Sequence, residues 1–294
     1  MIFFRVNAIV LKILGVAMQP APLLHRCLAE LAGTFVLVFF GTGAVFVAVL
    51  TGALSGLFQV AIVWGLAIGL AIHAFGAISG AHLNPAVTLA LMAYRGFRWR
   101  DVLPYVVAQL VGAFLASALL YMLFSGLLTD FETTHEMVRG QPGSQRSAMM
   151  FGEYTPNPGM LGSDAAAFEK VSLLQGFAAE GVGTAILVFM IFAMTDPTNR
   201  SRPDGNLAAP AIGLTVTALI CLIAPLTQAG FNPARDLGPR LFSLLAGWGQ
   251  IAIPGPRGEF FTLYILAPLL GGLIGGGFYA QGLKMRSADP TTAA

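Results

Sequence analysis

Charge is what this sequence has least of. Of 294 residues only 16 are Lys or Arg and 14 are Asp or Glu, 10% of the chain, against 56% apolar residues and a mean hydropathy of +0.76. An ordinary soluble domain, with about a quarter of its residues charged, is excluded. The net charge of +2, with basic residues spread along the chain, leaves no footprint for nucleic acid. Cysteine is scarce as well: Cys27 and Cys221 both sit in apolar runs and read as packing thiols, not as a disulfide framework or a metal cluster. No set of nucleophile, base and orienting group occurs in the apolar segments, so neither an enzyme nor a metal or cofactor is expected. A polytopic membrane protein remains.

Near-continuous apolar runs at 28–50, 57–79, 102–124, 173–195, 208–227 and 260–282 each come close to the ~20 residues that cross a ~30 Å hydrocarbon core. Two shorter segments, 85–93 and 233–246, lie between the second and third runs and between the fifth and sixth. Each follows an Asn-Pro-Ala motif, Asn84-Pro85-Ala86 and Asn232-Pro233-Ala234. Asn caps free helix amides, and Pro fits the first turn because its missing N–H has no partner to lose there, so two helices start at these motifs. A helix over 84–93 is about 15 Å long, half a bilayer. It can enter and turn back but cannot cross.

The halves repeat. Leu28–Thr34 followed by Leu37-Val38-Phe39 is matched by Ala178–Thr184 followed by Leu187-Val188-Phe189, an offset of 150, within two residues of the 148 between the Asn-Pro-Ala motifs. Three full spans per half is an odd number, so the second copy lies inverted in the membrane. The expected fold is an all-α membrane protein with six transmembrane helices and two re-entrant half-helices in an inverted 3+3 repeat. Residues 1–23 form an N-terminal extension, interfacial or not native; 24–126 the first repeat; 127–172 an external loop; 173–283 the second repeat; and 284–294 a tail. Lys and Arg gather on one face, with Arg26, Arg95, Arg98, Arg100, Arg200 and Arg202, and are sparse on the other, with Arg139, Arg146, Lys170 and Arg257. Both termini are therefore expected in the cytoplasm.

Irregular backbone at membrane depth is tolerated where it lines a water-filled lane. The carbonyls of Gly80, Ala81 and His82, and of Gln228, Ala229 and Gly230, are the candidates. Two facing helix starts, each with about +0.5 charge, repel cations and protons but not neutral molecules. The amide hydrogens of Asn84 and Asn232 are left to donate once their oxygens cap the helices. Arg235, in the first turn of a half-helix, is disfavoured both by the helix dipole and by ~2.5–3.5 kcal/mol of insertion cost. It reads as a donor fork at a constriction, the alternative being a pairing with Asp236 or Glu259. Glu30 and Glu180, at equivalent places in the repeats, read as acceptors that hold the loop of their own half, with a proton relay as the alternative. His73 and His82 read as satisfied structural groups.

Together these residues resemble the major intrinsic protein family, the aquaporins and aquaglyceroporins, over residues 24–284. The resemblance implies a homotetramer in the lipid bilayer of a bacterial inner (plasma) membrane, one channel per subunit, passing water or small neutral solutes passively. Asp236, Arg240, the Pro268-Leu269 pair and Gly247-Trp248-Gly249 resemble the glycerol-facilitator branch. Family spacing puts the selectivity filter at Trp64, Ile220, Ala229 and Arg235. Helix rise agrees: Trp64 and Ile220 lie about 10 and 12 Å below the same membrane edge. Trp with an aliphatic residue, Ala and Arg departs from the common water and glycerol filters and resembles the plant nodulin-type branch, whose members pass glycerol and undissociated metalloid acids. Phe231 could instead fill the gap beside Ala229. The expected function is passive conduction of glycerol and other small uncharged solutes with some water. The alternatives are a water, urea or metalloid-acid channel with little glycerol flux, and a secondary transporter.

Overall fold

The computed structural model describes residues 21–283. The expected extension up to residue 20 and the tail 284–294 lie outside the described residues. Among the described residues, six helices are long and apolar enough to cross a membrane. With the two half-helices they give the order α1 (Leu23–Thr51), α2 (Leu57–Ser79), α3 (Pro85–Arg95), α4 (Trp99–Thr134), α5 (Leu173–Thr195), α6 (Ala208–Thr227), α7 (Pro233–Ser243) and α8 (Phe261–Leu283). No strand occurs among the described residues. The four-helix unit α1–α4 returns as α5–α8, each with a half-helix third.

The half-helices begin where the motifs place them. The Asn84 side-chain oxygen accepts from the Ala86 amide at 2.8 Å, and that of Asn232 from the amides of Ala234 and Arg235 at 3.0 and 3.2 Å, with proline next in both. α3 stops at Gly96, whose φ of 73° ends the helix in the left-handed region. α7 runs to Ser243 and passes into a single π-helical turn, Leu244–Trp248.

α4 is longer than its apolar run. It continues ten residues past 124, to Thr134, because its last turns bury Leu128 and Glu132 instead of entering lipid. Glu132 pairs with Arg139 at 2.9 Å, and the Arg139 guanidinium sits 4.2 Å over the ring of buried Trp248. The connection between α4 and α5 folds over one face of the bundle with short helical turns at Gln145–Ala148, Pro158–Leu161 and Ala165–Lys170. Phe46, Phe151, Tyr154 and Trp248 form an apolar cluster beneath it. We call this the capped face.

Helices α2 and α6 cross at repeat-related glycines. A Cβ on Gly65 would stand 2.7 Å from the Gly213 carbonyl oxygen, and one on Gly213 would meet the Gly65 carbonyl in turn. Any side chain at either position forces the helices apart. Their close crossing brings Trp64, Ile68 and Ile72 of α2 opposite Ile212, Val216 and Ile220 of α6 along one lane.

Candidate functional site

Each irregular loop hangs from one buried glutamate. Glu30, on α1, accepts from the amides of His82 (2.8 Å) and Leu83 (2.7 Å), from the Ser79 hydroxyl (2.7 Å) and from the Gln109 amide (2.8 Å). Glu180, on α5, accepts from the amides of Gly230 (2.9 Å) and Phe231 (2.7 Å). These bonds hold backbone that L-residues resist: φ is 47° at Ala81 and 53° at Leu83, and 63° at Ala229 and 55° at Phe231. A residue in this region costs of order 1 kcal/mol or more. With the amides turned toward the carboxylates, carbonyls are left for the lane.

The two loops also brace each other, which the sequence did not disclose. The Asn84 side-chain amide donates to the Phe231 carbonyl at 2.9 Å, and that of Asn232 to the Leu83 carbonyl at 2.7 Å. The half-helices thus meet start to start. A carboxamide has two N–H donors, so each Asn keeps one for the lane, not both.

Two cavities follow one another through the helix bundle. The wider, ≈ 360 Å³, opens beneath the cap and is lined by Glu153, Asn157 and Gln228 among others. The narrower, ≈ 70 Å³, continues past Asn84 and Asn232. A water needs roughly 10–15 Å³ of such space, so the narrow part holds a short single file. Trp64, Ile220 and Arg235 line both cavities and mark the constriction between them. Ala229 lines the narrow lane directly below, so the four expected filter residues come together.

Phe231 turns its ring toward α5. It lines the narrow lane only, and its ring packs on α5 where Gly183 has no Cβ to obstruct it. Of the residues expected to offer their carbonyls, Ala81, His82, Ala229 and Gly230 line the narrow lane, whereas Gln228 lines the wide cavity and Gly80 lines neither. The Gln228 side chain ties the cap down, accepting from the Tyr154 amide at 2.9 Å and donating to the Met149 carbonyl at 3.1 Å. His82 bonds Thr88 at 3.2 Å. His73 is exposed on the outer wall and not buried.

Arg235 is 4% exposed and lies 4.2 Å over the Trp64 ring. Its partner is neither Asp236 nor Glu259 but Glu153, delivered by the cap. Asp236 is already engaged: it pairs with Arg240 at 2.7 Å and accepts from the Glu153 amide at 2.6 Å. Arg240 in turn donates to the carbonyls of Glu153 and, at 2.5 Å, Ala252. Asp236 and Arg240 therefore form a buried clamp that presents Glu153 to Arg235. Only the need for a counter-charge pointed to such a residue, and nothing periodic in the loop identified it. Pro268 is buried in α8 and Leu269 half-buried beside it, and neither lines a cavity.

The chain matches the family model described as "Major intrinsic protein" over residues 17–279. It is 41% identical over 264 residues to the glycerol uptake facilitator protein of Escherichia coli K12, covering 90% of this chain and 89% of that one. It is 43% identical over 262 residues to the glycerol uptake facilitator protein of Pseudomonas aeruginosa, covering 88% and 89%. The propanediol uptake facilitator of Salmonella typhimurium is 43% identical over 255 residues, covering 86% and 92%. Among solved structures, the aquaglyceroporin from Plasmodium falciparum aligns with a TM-score of 0.75 at 27% identity, covering 89% of this chain and 97% of that one.

Proposed function

Because the chain belongs to the major intrinsic protein family, we propose that it is a passive channel for glycerol and similarly small neutral solutes, with some water flux. What supports this is the amphipathic constriction: Trp64 and Ile220 on the apolar side, with Arg235 and the loop carbonyls as hydrogen-bonding groups. Relatives named for glycerol and propanediol uptake point to the same solute chemistry. A polyol turns its carbon face to Trp64 and Ile220 and its hydroxyls to Arg235, then to the carbonyls of Ala229, Gly230, Ala81 and His82. Each bond is exchanged for the next, so no deep well forms.

In this reading Trp64, Ile220, Ala229 and Arg235 are the selectivity filter, and Asn84 and Asn232 present their remaining amide hydrogens at mid-depth. Glu30 and Glu180 are loop supports, and Asp236 and Arg240 orient the filter through Glu153. The two half-helix starts repel cations and protons. The Glu153 carboxylate offsets the Arg235 charge, so the constriction itself is close to neutral. The capped face is extracellular, the termini are cytoplasmic, and the channel is one subunit of a homotetramer in a bacterial plasma membrane. No covalent step is involved.

Stopped-flow light scattering on proteoliposomes, with glycerol and then sucrose as osmolyte, tests the reading. Glycerol-dependent reswelling above protein-free liposomes is expected. Water flux without it would favour the water, urea or metalloid-acid alternative.

A further inference from the structure

Two buried tyrosines, Tyr105 on α4 and Tyr264 on α8, stand at matching places in the repeats. Each lies seven residues before a glycine at a helix crossing. A Cβ on Gly112 would run into the Leu31 carbonyl and one on Gly271 into the Gly181 carbonyl, and Leu31 and Gly181 are 150 residues apart, the offset of α1 and α5. Each tyrosine hydroxyl donates to the carbonyl at the root of an irregular loop, Tyr105 to Ser79 at 2.8 Å and Tyr264 to Thr227 at 3.2 Å. The Ser79 and Thr227 hydroxyls in turn accept from the amides of Ala81 and Ala229, at 3.0 and 3.3 Å. The loop anchors are copied.

The surroundings are not. Tyr105 packs against the rings of His82 and Phe97, toward the face opposite the cap. The Tyr264 hydroxyl lies 2.7 Å from that of Thr155, which belongs to the cap. A phenol carries one hydrogen, and that of Tyr264 goes to the Thr227 carbonyl, so Thr155 donates and Tyr264 accepts. A directed relay results, from Thr155 through Tyr264 to Thr227, and all three residues are buried. At its cap end Thr155 is two residues from Glu153, the partner of Arg235, and the Thr155 carbonyl accepts from Arg257 at 3.3 Å. At its other end Thr227 is two residues from Ala229.

We propose that Tyr264 is a positioning residue that sets the width of the constriction. Its hydroxyl registers the wall of Arg235, held through Thr155 and Glu153, against the wall of Ala229, held through Thr227. The inference rests on the polyol-channel reading and names the group that keeps those walls at one separation. Because the relay is buried, no solvent molecule takes over a bond that opens. For a solute wider than glycerol to pass, the walls must part, and the relay resists this by one hydrogen bond. Without it wider solutes gain, whereas glycerol, which fits the walls as they stand, does not.

Tyr264→Phe tests this, because it removes the hydroxyl and keeps the ring. Permeabilities to glycerol and to the wider triol made by adding one methyl to its middle carbon are measured by stopped flow on proteoliposomes. The ratio of methylated to plain glycerol is expected to rise about fivefold, the factor one net hydrogen bond supplies. Thr155→Val cuts the relay from the cap and carries the same outcomes should the first variant fail to assemble, while Thr155→Ser, which keeps the hydroxyl, should keep the wild-type ratio. The double variant should add little to either single one, since each alone breaks the relay. Tyr105→Phe removes the matching anchor away from the constriction and should leave the ratio as it is. An unchanged ratio in Tyr264→Phe, a wider triol excluded by every variant, or an equal rise in Tyr105→Phe overturns the positioning role. Should the wild type pass water but no glycerol, the polyol reading fails and the urea-to-water ratio decides instead: a rise in Tyr264→Phe supports the relay and no change overturns it.

Discussion

Replacing Glu153 by Gln removes the one carboxylate paired with Arg235 while leaving shape and a neutral acceptor in place. Both side chains are nearly buried, 5% and 6% exposed. Breaking a buried ion pair by removing one partner costs about 3–5 kcal/mol. The retained amide oxygen and the wide cavity on one side reduce that here to about 2 kcal/mol, the worth of a charge-assisted hydrogen bond. Asp236 cannot take over, being held by Arg240 and the Glu153 amide. For a chain of this size such a loss lowers the melting temperature by about 5 °C. Thermal unfolding in detergent, followed by tryptophan fluorescence, reads it, and the cycle through Arg235→Gln and the double variant isolates the pair. The double variant is expected to recover most of the loss, because no buried charge is left alone. A Glu153→Gln protein that melts within about 1 °C of wild type, or a cycle with no coupling, would refute the pairing.

Glu180→Gln replaces a carboxylate that accepts two backbone amides with a group that can accept only on one side. The loop 228–231 should exchange its amide hydrogens faster, and glycerol flux should fall by about tenfold or more, equally with and without a proton gradient, matching one lost charge-assisted bond of about 1.5–3 kcal/mol. A proton-driven flux abolished with loop protection unchanged would favour the transporter alternative. Asn84→Ala removes both a helix cap and the brace to the Phe231 carbonyl, for about 2 kcal/mol together, visible as a lower melting temperature. Gly213→Val, at the crossing of α2 and α6, should destabilise by about 1–3 kcal/mol or more, since the added atoms meet the backbone of Gly65; normal stability and flux there would contradict the close approach.

The sequence was most legible where the signal is periodic or local. Six apolar runs, two motifs that start helices, and an offset repeated within two residues specify the bundle and its duplication. Glu30 and Glu180 could be read as loop supports because each occurs at the same place in both halves. Features that depend on an irregular chain path were hidden. The cap brings Glu153 to Arg235 across 82 residues of sequence with no spacing rule to announce it, and Asp236, next to Arg235 in sequence, is taken up by Arg240 one turn on. The direction of Phe231 depends on the missing side chain of Gly183, far away in sequence. α4 outlasts its apolar run because its last turns bury Leu128 and Glu132 in an otherwise exposed, polar stretch, so hydropathy falls while the helix continues.

The most direct test of a passive polyol lane is glycerol flux into purified proteoliposomes measured with and without an imposed proton gradient and membrane potential. The account predicts flux well above protein-free vesicles, following the glycerol gradient and indifferent to both imposed forces. Flux that requires either force, or none above protein-free vesicles, contradicts it.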